Sequence, residues 1–136
     1  MTDIPTTING VAVDFGASVN EDVHDRIVEG LKACIKTSIA PGRVLSKIHI
    51  SSANDQHAMP SRHAQEKAVD ISRINGVKMV IGYPQGGDVT AIVQAIQTAF
   101  ESYAHRRENF GPFFKKKLGA PHMVGGHGDH IHLSVN

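Results

Sequence analysis

The closing run His130-Ile131-His132-Leu133-Ser134-Val135 changes character at every step. In a strand, side chains at i and i+2 share a face. Ile131, Leu133 and Val135 therefore lie on one side, where helices can pack on them. His130, His132 and Ser134 lie on the other. A chain that ends this way needs a sheet with helices against one face, and it presents two imidazoles on the opposite face.

The remaining residues supply such parts. Residues 1–17 are short, turn-rich and extended in part. Ser18-Val19-Asn20-Glu21 has the form of a capping box. Val23, Ile27, Leu31, Cys34 and Ile35 then recur at helical spacing, so a helix is expected over 20–37, closed off before Pro41-Gly42. Val44 to Ser52 reads as a strand, and residues 53–66, broken by Pro60, as a loop. Two β-rich runs, Ala68 to Ile74 and Val77 to Gly82, flank Asn75-Gly76. That dipeptide signals a hairpin, because a type I′ turn needs positive φ at both central residues. Asp88 is placed to cap a second helix, whose stripe is Val89, Ile92, Val93, Ile96, Ala99, Phe100 and Tyr103. Residues 105–129 read as mostly loop, with one helical turn over 113–118. The order of elements predicts α+β: one small domain over 1–136, a central antiparallel sheet and two main flanking helices.

The 136 residues have room for one hydrophobic core. A net charge of +1 argues against nucleic acid or an acidic membrane surface as partner. Lys115 to Lys117 form the one basic run and read as a solvated face. Trp is absent, which disfavours a base- or sugar-stacking platform. Cys34 is the single cysteine and falls on the apolar side of the first helix, so it is expected as a buried small hydrophobe. No disulfide can form within the chain, and a zinc site would have to use His, Asp or Glu. No apolar run is long enough to cross a bilayer. The N-terminal stretch lacks the positive start and apolar core of a secretory signal, so synthesis in the cytoplasm is expected, with export by another route open.

Two neutral imidazoles aimed at one centre suit a metal or a proton relay. Asp129 stands just before them at a glycine-flanked bend. A second cluster lies in Ser61-Arg62-His63 and Asp70. His63 and Asp70 are an odd number of positions apart and converge only if His63 sits in the loop and Asp70 on the strand. Asp70, between Val69 and Ile71, is costly to bury without a partner. That partner is either an arginine, Arg62 or Arg73, or a cation. His63, Asp70 and one C-terminal histidine would give zinc three protein ligands and leave a position for water, as in catalytic sites. Zinc lowers the pKa of such a water and polarises a carbonyl. Asp129 is the candidate to move the proton.

At these residues the sequence resembles the LAS group of metallopeptidases: lysostaphin-type enzymes, D-alanyl-D-alanine carboxypeptidases and the Sonic hedgehog signalling domain. The pattern is Ser-x-His, six residues, Asp, and a distant C-terminal His-x-His. Here it reads Ser61-Arg62-His63, then Ala68-Val69-Asp70-Ile71, then His130-Ile131-His132. The likeness covers residues 48–82 and 127–136. It implies zinc on His63, Asp70 and His132, with His130 a catalytic histidine. Asp129, three residues before the last ligand, matches the acid of carboxypeptidase-like members; hedgehog-like members place theirs further upstream, where this chain has Gly126. Two positions depart from the pattern. Glu66 replaces a common glycine and is a candidate substrate contact. Ser51-Ser52-Ala53-Asn54-Asp55 stands where many carboxypeptidases carry an arginine, and Arg62 is the available substitute. Ser61 is expected to fix the His63 loop and meet substrate, and His57 to orient a ligand by a hydrogen bond. His122 and His127 can line the cleft. His24, His49 and His105 read as surface or strand residues without a role.

The activity implied is hydrolysis of an amide bond in peptidoglycan stem peptides, D,D- or L,D-type, carboxy- or endopeptidase. The second reading is a catalytically silent zinc-binding domain that serves as a binding or virion component, since a scaffold alone does not fix a function.

Overall fold

The computed structural model describes residues 2–54 and 67–136. The first half carries β1 (Thr2–Asp3), β2 (Thr7–Ile8), β3 (Val11–Phe15), β4 (Asp22–Val23), α1 (Asp25–Cys34) and β5 (Lys47–Ser52). Then come β6 (Ala68–Ile74), β7 (Val77–Lys78), the single turn α2 (Met79–Gly82) and α3 (Asp88–Phe100). The chain closes with β8 (Arg106–Phe110), β9 (Lys115–Lys117), β10 (Ala120–Pro121) and β11 (Ile131–Val135). Among the described residues the main sheet runs β10-β9-β8-β11-β6-β5-β3-β2, with β7 paired to β6; β1 and β4 form a separate ribbon.

This is an α+β architecture with α1 and α3 as its main helices. The sheet is mixed rather than wholly antiparallel, because β3 and β5 run parallel. Parallel neighbours need a crossover, and α1 lies within it. Ile131, Leu133 and Val135 of β11 join Val69 and Ile71 of β6 in one core with Ile27 and Leu31 of α1 and Ile92 and Ile96 of α3. Cys34 is fully buried in that core, and burial pushes its thiol up to about 12. α1 and α3 meet at Gly30, where a Cβ would stand 3.0 Å from the Phe100 ring.

Several boundaries differ from the sequence reading. α1 starts at Asp25, not near residue 20, because Asp22 and Val23 are held as a strand against β1. Its cap is His24, whose Nδ1 accepts the Arg26 N–H at 3.2 Å, rather than Ser18. α3 is capped by the Gly87 backbone; Asp88 is its first residue and pairs with Arg43 at 2.9 Å. Asn75 and Gly76 do make the expected turn, with φ of 51° and 81°. The strand after it stops at Lys78, since Val80 and Ile81 point outward while Met79 is buried. The largest departure is at residues 105–129, where β8, β9 and β10 replace the expected loop and helical turn. Lys115 to Lys117 are the half-buried strand β9, not a free solvated face.

Strand β8 is polar because its residues have specific partners. Asn109 faces α3, and its Nδ2 donates to Gln97 O at 2.8 Å and Glu101 Oε2 at 2.9 Å. Fully buried Gln97 donates to Asn109 Oδ1 at 3.2 Å and Phe114 O at 2.9 Å and accepts the Phe113 N–H at 3.1 Å. It thereby fixes the β8–β9 turn, and Gly111 leaves the room it needs: a Cβ there would be 2.5 Å from Gln97 Oε1. Gln97→Leu is expected to lower stability by about 3 kcal/mol, because several polar groups lose their partners at once. A urea midpoint unchanged from the parent would contradict this.

Candidate metal centre

The face of the sheet away from the helices carries the site. On β11, His132 and Ser134 share that face; on β8, Glu108 and Phe110 do. His132 lies directly across from Asp70 on β6 and from Phe110 on β8. His132 Nδ1 stands 2.9 Å from Asp70 Oδ1, and its Nε2 stands 3.0 Å from Glu108 Oε1. Ser134 Oγ donates to that same Glu108 oxygen at 2.8 Å and accepts the Glu108 N–H at 2.9 Å. The ring is thus fixed at both nitrogens and stacked on Phe110 at 5.6 Å.

Charge follows from this geometry. Burial opposes a proton on His132, but the Asp70 and Glu108 carboxylates outweigh it and raise the imidazole to about 9. Burial likewise opposes charge on Glu108, yet the hydrogen bonds from His132 and Ser134 prevail and bring it down to about 2. The protonated ring donates from both nitrogens.

Beside this row stands a second pair. His130 Nδ1 is 2.7 Å from Asp129 Oδ1, and its Nε2 is 3.9 Å from Asp70 Oδ1. His130 therefore faces the Asp70–His132 centre, with Asp129 behind it. The hydrogen bond to His130 holds Asp129 below the usual carboxylate range. His127 closes the group, its ring 4.9 Å from His130, 5.6 Å from His132 and 5.2 Å from Phe110. Burial lowers its pKa, and repulsion from His130 and His132 adds to that.

Of the sequence-derived candidates, the structure brings Asp70, Asp129, His130 and His132 together, and His127 with them. His57, Ser61, Arg62, His63 and Glu66 lie outside the described residues. Among the described residues no group of three or more His, Cys, Asp or Glu is set to hold a metal. Asp70 and His132, the two described members of the expected ligand set, are donor types that zinc accepts. Asp70 and His132 present an oxygen and a nitrogen to each other across one proton. A carboxylate on the far nitrogen is the support that metal-bound histidines commonly have. Asn54, in the stretch where the carboxypeptidases this sequence resembles often carry arginine, donates its Nδ2 N–H to Asp22 O at 2.8 Å.

Glu108 is the participant that sequence reasoning missed. Charged neighbours hide it in Arg106-Arg107-Glu108, and only the β8–β11 register places it on His132. His24 and His49 have structural partners rather than none: His24 caps α1 and His49 pairs with Asp14. No family model matches the chain, and no curated protein or solved structure matches it.

Among the described residues no helix is long and apolar enough to cross a membrane.

Proposed function

We propose that this chain is a zinc-dependent peptidase that hydrolyses an amide bond in peptidoglycan stem peptides. The observation that carries the reading is His132 held between Asp70 at 2.9 Å and Glu108 at 3.0 Å, with the Asp129–His130 pair alongside. The substrate class rests on the sequence resemblance. His63, Asp70 and His132 would hold the zinc, and Glu108 would orient His132. When bound, zinc supplies an acidified water and a polarised carbonyl. Asp129 takes the proton and returns it to the leaving amine. His130, set between Asp129 and the centre, steadies the charge that develops as the carbonyl carbon becomes tetrahedral. Arg62, Ser61 and Glu66 are assigned to substrate and His57 to orienting a ligand. Work on the wall fits release from the cell or carriage in a virion.

The test pairs metal analysis of the purified chain with loss of turbidity and release of amine from purified cell walls. One zinc per chain together with wall cleavage is expected. Zinc at that stoichiometry with no product from any wall would favour the silent binding or virion role instead.

A further inference from the structure

Asp70, His132, Phe110 and Lys115 are direct cross-strand partners in succession, so one row crosses β6, β11, β8 and β9 on the site face. The Phe110 ring lies nearly parallel to His132, 5.6 Å away, and nearly parallel to His122 at the same spacing. The His122 N–H donates to Lys115 O at 3.0 Å and carries the row one step further. Beyond Phe110 is a pocket of about 570 Å³ lined by Lys115, His122, Met123, Val124 and Gly125. Its cation is available in a way its neighbours are not. Lys116 sits over the Phe114 ring at 4.8 Å, and Lys117 stands opposite Glu108. Lys115 Nζ donates to Val124 O at 2.6 Å, and one carbonyl does not exhaust the three donors of an ammonium.

We propose that this pocket is an anionic subsite of the same cleft, in which Lys115 binds a carboxylate of the peptide whose amide lies over Asp70 and His132. That the ligand is a peptide rests on the peptidase reading. Strands stand about 4.8 Å apart, so the Lys115 backbone is roughly 10 Å from that of His132. An extended chain covers about 3.3–3.6 Å per residue, which puts the carboxylate two or three residues from the bond to be cut. It belongs either to the chain terminus or to an acidic side chain. Met123 and Val124 offer apolar contact to a small neighbouring side chain. A lysine that only pins the loop at Val124 would not distinguish an acid from its amide.

The experiment is an NMR titration of the purified chain, followed at the Met123 methyl and the His122 ring. The probes are N-acetyl-alanyl-alanine, its C-terminal amide, and N-acetyl-glutamate α-amide. The terminal acid or the side-chain acid should bind about tenfold more tightly than the amide, the size of one charge-assisted hydrogen bond, and whichever does identifies the source. Lys115→Met should erase the preference and Lys115→Arg, which keeps a donor for Val124 O, should retain it. Equal binding of acid and amide, no binding of any probe, or a preference that survives in Lys115→Met overturns the subsite. Wall cleavage is read separately, so failure of the peptidase reading leaves the binding result standing.

Discussion

Asp70→Ala is expected to leave a folded chain that no longer retains zinc. Asp70 is the described side chain that meets His132 Nδ1, at 2.9 Å, and in the proposed zinc set of His63, Asp70 and His132 its loss would remove a ligand rather than a support. Loss of a supporting partner costs metal sites roughly 10–100-fold in affinity, and loss of a ligand should exceed that. The fold survives because His132 keeps Glu108 at 3.0 Å and Glu108 keeps Ser134 at 2.8 Å. Dialysis against a chromophoric chelator reads the affinity, and circular dichroism reads the fold. A variant that holds zinc within tenfold of the parent would remove Asp70 from the ligand set. The metal-free protein gives an independent check. The folded pKa of His132 lies above its unfolded value, at about 9, so its contribution to stability is complete below about 6.5 and vanishes as pH rises through about 9. Asp70→Ala should therefore destabilise the metal-free chain most at and below neutral pH, and little at pH 10.

The parts of this site legible in the sequence are those whose signal is local. Alternation in 130–135 assigns both faces of β11, and Asp70 between Val69 and Ile71 stands out as a carboxylate with no business in an apolar strand unless something meets it. Asn75-Gly76 fixes its turn because few other residues accept positive φ at both positions. What sequence periodicity could not supply is set by register. Glu108 and Phe110 lie in a stretch with no apolar alternation, and β8 exists because β11 and β9 flank it and Gln97 and Asn109 satisfy each other beneath it. The start of α1 was obscured in the same way: the helical spacing of Val23 and Ile27 is real, but pairing of Val23 with Thr2 captures that backbone as strand. Tertiary partners overrode the local pattern in both places.

Asp129→Ala is expected to lower the rate of wall-peptide hydrolysis by about 10²–10⁴-fold while zinc affinity stays within a few-fold of the parent. The size follows from the loss of a proton acceptor, and the sparing of metal from the geometry: the Asp129 carboxylate is 65% exposed and bonds to His130, whereas Asp70 and His132 bond to each other. Its hydrogen bond to His130 keeps Asp129 ionised, which favours readiness to accept over basic strength. Acidification of the water by zinc would make up that difference, so a weak base suffices. The 2.7 Å contact also makes Asp129 and His130 one unit. Side chains that act together are strongly non-additive, so adding His130→Ala to Asp129→Ala should cost little beyond the larger single loss. Single-turnover rates on a defined stem peptide, measured for both single variants and the double variant, read this directly. Losses that multiply would show the two residues working independently, and full activity in Asp129→Ala would return the base to another residue.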